Sequence, residues 1–167
     1  MNSRLCALFL FFSIYHSAQA QLSAINAENY FAQQQFDSAI SIYSQLIEEY
    51  PDTLTLYFNR GLCYYKLNQP KEAITDFDYV LTQDSVNKEA LYLKALSLEQ
   101  KNEREASVKA LERLRAIDEN YNDVGKRIKK YRLAVYLSRN WYYMVAMALL
   151  VIIFLATVVT LKTSRRF

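Results

Sequence analysis

Histidine occurs once in this chain, at position 16, and glycine, proline and cysteine occur twice each in 167 residues. Each scarcity excludes something. His16 lies at the end of an apolar N-terminal run, so the rest of the chain lacks the commonest general base and the commonest neutral metal ligand. Gly61 and Gly125 cannot build a glycine-rich phosphate cradle, and neither a P-loop nor a G-x-S-x-G elbow is present. Cys6 and Cys63 form no Cys/His cluster of zinc spacing. If Cys6 leaves with the N-terminal run, Cys63 stands alone and reads as a small buried helix residue, the alternative being a reactive or intermolecular thiol. Carboxylate pairs such as Glu48-Glu49 and Asp76-x-Asp78 remain, and on a helix they read as a solvated acidic face. No catalytic residue, metal ligand, cofactor or small-molecule substrate is expected, and the chain is not expected to be an enzyme.

Few helix breakers and a surplus of Ala, Leu, Lys and Glu predict helices throughout. Fourteen tyrosines supply bulk that is part apolar and part polar. The net charge of +3 conceals an asymmetry: residues 21–120 carry 10 Lys/Arg against 16 Asp/Glu, whereas 121–140 carry 6 against 1. An acidic body on a basic neck excludes nucleic acid as the natural partner.

Both ends look like addressing or anchoring segments. Arg4 precedes an apolar run from Leu5 to Tyr15, too short to span a bilayer, and Ala18-Gln19-Ala20 offers a small-residue cleavage site. This predicts a signal peptide over 1–20, with an uncleaved N-terminal anchor as the alternative. The stretch from Trp141 to Leu161 carries no charge and is long enough for a helix to cross a hydrocarbon core of about 30 Å. Trp141, Tyr142 and Tyr143 suit one interface, and the tail 162–167 is short and basic. The signal peptide predicts an exported body, single-pass anchoring in a cytoplasmic membrane and a cytoplasmic tail. The neck cations, counted by the positive-inside rule, favour the opposite orientation. We give precedence to the signal peptide.

Between these ends the chain repeats itself. Ala39 and Tyr43 recur as Ala73 and Phe77, and again as Ser107 and Leu111, at one constant interval. Leu46, Val80 and Leu114 extend the stripe. The middle unit reads Tyr57, Arg60, Gly61, Tyr64, Ala73 and Phe77; the first reads Ser23, Asn26, Ala27, Tyr30, Ala39, Tyr43 and Pro51. The third, Leu91, Lys94, Ala95, Leu98, Ser107 and Leu111, departs most. This pattern resembles the tetratricopeptide repeat family, W-x2-L-G-x2-Y, then A-x3-F, then P. The resemblance implies an all-α solenoid of three helical hairpins over about 21–53, 54–87 and 88–120. Ala27, Gly61 and Ala95 would be small where helices cross, and Tyr30, Tyr64 and Leu98 would fill the space between. A basic capping helix would follow over 121–140, then a single transmembrane helix over 141–161. Val124, Ile128, Tyr131 and Val135 fall at the helical spacing a cap needs.

The family binds peptides on the concave side, lined by the first helix of each hairpin. The resemblance implies a partner groove of Phe31, Phe58, Leu62, Tyr65, Lys66, Tyr92, Leu96 and Glu99, with Tyr65 and Tyr92 as preferred contacts. Relatives that clamp a terminal carboxylate use Lys, Asn and Arg there. Here the matching places hold Ala24, Glu28, Phe58, Leu62, Tyr92 and Leu96, which argues against a carboxylate clamp. Lys126, Arg127, Lys129, Lys130, Arg132 and Arg139 are candidate contacts for anionic lipid. The expected function is a membrane-anchored scaffold that recruits another protein or peptide. Two alternatives stay open: a subunit assembled into a membrane complex through its span, and a tail-anchored cytosolic adaptor. Whether the groove is open or filled by the cap also stays open.

Overall fold

The structure, a computed structural model, describes residues 19–164, with side chains through Thr157. The signal-peptide reading of 1–20 falls, but for its last two residues at the start of the first helix, outside the described residues, and the tail cations Lys162, Arg165 and Arg166 lie outside the described residues or side chains. Among the described residues there are seven helices and no strand: α1 (19–32), α2 (Phe36–Glu49), α3 (Leu54–Lys66), α4 (Pro70–Gln83), α5 (Lys88–Gln100), α6 (Arg104–Ile117) and α7 (Val124–Ser164). Each of the first six packs antiparallel on its successor, giving three hairpins.

A glycine-poor chain must still turn between helices. It does so through Gln34, Asn68 and Asn102, whose φ values are 61°, 57° and 65°. These three left-handed residues fall at the interval of the sequence repeat. Asn tolerates this conformation better than most residues, because its short amide bonds locally. The turn hydrogen bonds repeat with the same period. Gln35 N–H donates to Tyr30 O, Gln69 to Tyr64 O and Glu103 to Leu98 O, each at 2.8–2.9 Å. Pro70 opens α4 at its first position, where no intrahelical donor is lost.

The core repeats as the turns do. Ala39, Ala73 and Ser107 are all buried, as are Tyr43, Phe77 and Leu111, and Leu46, Val80 and Leu114. Gly61 is small for a measurable reason: a Cβ there would lie 3.0 Å from Asp76 Cβ and 3.1 Å from Phe77 Cε1. Ser107 replaces alanine without an orphaned hydroxyl, since its Oγ donates to Ala95 O at 2.9 Å. Cys63 is fully buried, and burial pushes its thiol up to about 12, so it is an inert packing residue. Of the residues expected between the helices, Leu98 is buried and Tyr64 half-buried, but Tyr30 is 36% exposed. The first hairpin has no neighbour stacked on its outer side among the described residues.

The ties between hairpins also keep the period while changing chemistry. Tyr79 Oη donates to Pro51 O, and one repeat later Arg113 Nη2 donates to Ser85 O. Arg60 Nη1 donates to Ser44 Oγ, and one repeat later Lys94 pairs with Asp78. Arg60 also forks onto Asp76, Nε to Oδ2 at 2.9 Å and Nη2 to Oδ1 at 2.7 Å. This corrects the reading of Asp76-x-Asp78 as a solvated face. Asp76 is 2% exposed and stays buried because a bidentate guanidinium compensates it.

α7 stands where a fourth first-helix would stand, parallel to α5 and antiparallel to α6. Val124, Ile128 and Tyr131 are buried against the third hairpin, with Val135 half-buried, and they close the stack. The same helix then runs on without a break. Every residue from 141 to 157 is exposed. By length and composition α7 can cross a membrane.

Candidate functional site

The first helices of the hairpins lie side by side and leave two recesses between them. One, of about 140 Å³, is lined by Glu28, Phe31, Tyr43, Asn59 and Leu62. The other, of about 350 Å³, is lined by Leu54, Thr55, Phe58, Asn59, Val80, Asn87 and Glu89. Asn59 joins them. Phe31 is held by an edge contact with Phe36 (5.3 Å between centroids), and Phe58 by one with Phe77 (5.9 Å). Their rings are therefore fixed by the core while part of each remains accessible. Tyr65 and Leu96 are half-buried and Lys66 is exposed; Tyr65 O accepts from Gln100 Nε2 at 3.3 Å.

The gap between α5 and α7 is different. Tyr92 Oη donates to Asp123 Oδ1 at 2.9 Å, and Arg127 Nε donates to both oxygens of Asp123 at 2.8–2.9 Å. Arg127 Nη1 reaches Glu99 Oε2 and Tyr131 Oη, both at 3.2 Å, and the guanidinium lies 5.8 Å from the Tyr92 ring centre. Tyr121 closes the cluster edge-on to Tyr92 at 5.7 Å. Burial pushes the Asp123 carboxyl up, but the hydrogen bonds from Arg127 and Tyr92 outweigh it and hold the group below its ordinary range. Burial, then the bond with Glu99, pushes the Tyr131 hydroxyl up to about 12. Two expected groove residues, Tyr92 and Glu99, are thus engaged by the cap. Phe31, Phe58 and Leu62 line the open recesses.

The neck cations divide similarly. Arg127 belongs to the cluster just described, Arg132 pairs with Glu112, and Lys130 lies 5.5 Å from the Tyr131 ring centre. Lys126, Lys129 and Arg139 are exposed. At about 1.5 Å per residue, Lys126 to Lys130 precede Trp141 by roughly 17–22 Å along the helix, while Arg139 precedes it by only about 3 Å. Sequence reasoning missed Asn59 and Glu89 in the groove, and Asp123 at its closed end. Asn59 could have been found, since it lies one turn before Leu62 on the helix face already assigned to the groove.

A concave row of first helices, stacked by second helices behind them and sealed by a terminal helix, defines a helical-hairpin repeat solenoid. A tetratricopeptide repeat family model matches residues 28–115, and the chain belongs to that family. Rat E3 ubiquitin-protein ligase TTC3 is 33% identical over 58 residues, 35% of this chain and 3% of that protein. Drosophila melanogaster Hsc70-interacting protein 1 is 34% identical over 67 residues, 40% of this chain and 18% of that one. The chain therefore matches only a small part of these relatives' length. The first repeat domain of Spaghetti (RPAP3), solved with the HSP90 peptide SRMEEVD, superposes with a TM-score of 0.66 at 21% identity, covering 72% of this chain and 95% of that one.

Proposed function

We propose that this chain is a membrane-tethered, non-catalytic adaptor that holds a partner polypeptide in the open groove of its first two and a half hairpins. One observation carries the reading: α7 seals the solenoid with Val124, Ile128 and Tyr131 and then continues as an uncharged, wholly exposed run from Trp141. A rigid junction of this kind fixes a binding domain at a membrane surface and raises the local concentration of whatever it binds. The signal-peptide reading puts the solenoid on the outer side of a cytoplasmic membrane, with the tail inside.

The partner's chemistry follows from the lining. Phe31, Phe58 and Leu62 offer apolar recesses, and Asn59 offers an amide to a main chain. Glu28 and Glu89 are the charged residues of the recesses, and Lys66 is exposed beyond them. An acidic terminus such as SRMEEVD would meet carboxylates here. An extended segment with aliphatic or aromatic anchors and no net negative charge fits better.

The test is a selection from a random peptide library on the full chain in nanodiscs. Enriched peptides should carry apolar anchors and lose binding at least about tenfold when Phe58→Ala and Leu62→Ala are combined. Enrichment of acidic peptides, or indifference to the double substitution, would overturn the site. Protease accessibility of residues 21–140 in intact cells tests the side of the membrane.

A further inference from the structure

Each first helix after α1 packs one face on its own second helix and another on the hairpin before it. The period fixes the second face. Leu56, Ala90 and Val124 share one position of the repeat, and all three are buried. Cys63, Ser97 and Tyr131 share a second, two turns on, and are buried as well. Leu56 and Cys63 belong to the core formed by Ala39, Tyr43 and Leu46 of the preceding hairpin. In α1 the same two positions hold Leu22 and Asn29. Both are exposed, Leu22 by 54%. Ile25, on the same face, is 47% exposed, where the period later half-buries Asn59, Leu93 and Arg127. α1 thus presents to solvent the face that α3, α5 and α7 bury by stacking.

Charge decides what covers that face. A terminal repeat ordinarily keeps a polar outer side for solubility. Charged residues make up 22% of the chain, yet residues 19–47 hold only Glu28 and Asp37. Glu28 lines a groove recess and Asp37 opens α2. The outer face of α1, with Leu22, Ile25, Asn26 and Asn29, carries no charge. The rest of the body is acidic, since residues 21–120 hold 16 Asp/Glu against 10 Lys/Arg. Two copies therefore repel each other over most of the solenoid and least at α1. The Asn29 amide is both donor and acceptor and can bond its own counterpart. α7 covers the other end of the stack, so copies cannot continue it head to tail. Free end meets free end, an isologous two-fold contact that closes at two copies.

We propose that two copies of this chain pair through the outer face of α1, Leu22 and Ile25 of each covering those of the other. The pair carries two open grooves. A partner with two binding segments is then held more tightly than either groove alone would hold it. The pairing depends on neither the occupant of the groove nor the reading of α7 as a span.

Sedimentation equilibrium of the full chain in density-matched detergent tests it. The chain should distribute between monomer and dimer. Leu22→Lys with Ile25→Lys should weaken dimerisation at least about tenfold. Helical content by circular dichroism should not change, because both side chains are exposed. Asn29→Cys, in a chain that also carries Cys6→Ser, should give a disulfide-linked dimer in native membranes under a mild oxidant, and Glu119→Cys should not. A chain that stays monomeric, or one that associates beyond two copies, would overturn the pairing. So would a dimer that survives both lysines, since the contact would then lie in the span or elsewhere. Shielding of the Asn29→Cys thiol from maleimide in the monomer would give the face to residues 1–18 instead of a second copy.

Discussion

The gap between α3 and α5 and the gap between α5 and α7 are flanked by parallel helices in equivalent places, yet one is open and the other is filled. Between α3 and α5 the recess is lined by Phe58, Asn59, Asn87 and Glu89, which leave it open, and the direct tie between the two helices, Gln100 Nε2 to Tyr65 O, lies at the other end of the gap. Between α5 and α7, Arg127 spans the space and ties Asp123, Glu99 and Tyr131 together while Tyr92 donates into the same cluster. The repeat makes the grooves; a long cation and a carboxylate outside the repeat decide which groove stays available. A terminal repeat has a face that no further hairpin will cover, and polar ties let α7 seal it while leaving a soluble outer surface.

The largest effect should come from a residue on which both gaps depend. Phe77 is fully buried, touches Phe58 edge-on and limits the space at Gly61. Phe77→Ala should cost about 3–5 kcal/mol through lost transfer energy and an uncollapsed cavity. Thermal unfolding of the full chain in detergent should drop in midpoint. Hydrogen exchange should rise together in α3 through α6, so the difference between the two gaps disappears. Faster exchange confined to α4 would mean that the hairpins are not a shared core.

Arg127→Ala should instead sharpen the difference. The cluster is partly solvated, with Asp123 44% and Glu99 33% exposed, so screening limits its worth to about 1–2 kcal/mol. Exchange should accelerate in the first turns of α7 and leave α3 and α4 unchanged. The α5–α7 gap would then become accessible, and labelling of Tyr92 by a phenol-reactive probe should increase. Unchanged Tyr92 labelling would mean that packing by Val124 and Ile128 closes the gap without the polar ties.

What could be read in advance follows the same division. Ala39, Ala73 and Ser107 were legible because a tight helix crossing accepts few residue types, so the constraint repeats in the letters. The all-helical solenoid, its sealing helix and the long apolar helix came with them. The ties between hairpins were not legible. Arg60 to Ser44 and Lys94 to Asp78 repeat as contacts but not as residues, since many donor and acceptor pairs can fill one geometry. Asp76 was misread because its compensating guanidinium lies on another helix, far from it along the chain. Tyr92 and Glu99 were expected in the open groove, but their neighbour is α7, whose Arg127 falls where the period places Leu93 and Asn59.

The smallest effect should come from acid. Asp123 has its carboxyl held below the ordinary range by Arg127 and Tyr92, so it binds its proton less readily in the folded chain than in the unfolded one. Its contribution is therefore complete above the unfolded value of about 3.9 and is lost as pH falls through the lower folded value. Between pH 7 and pH 5 the protection of α7 amides, relative to their intrinsic exchange, should not change. Below about pH 4 the first turn of α7 should loosen before α3 and α4 do, and the separation should vanish in Asp123→Asn, which cannot titrate there. An early loosening that persists in Asp123→Asn would mean that the acid sensitivity does not arise from Asp123 and would weaken the case that Asp123 anchors the closed end of the groove.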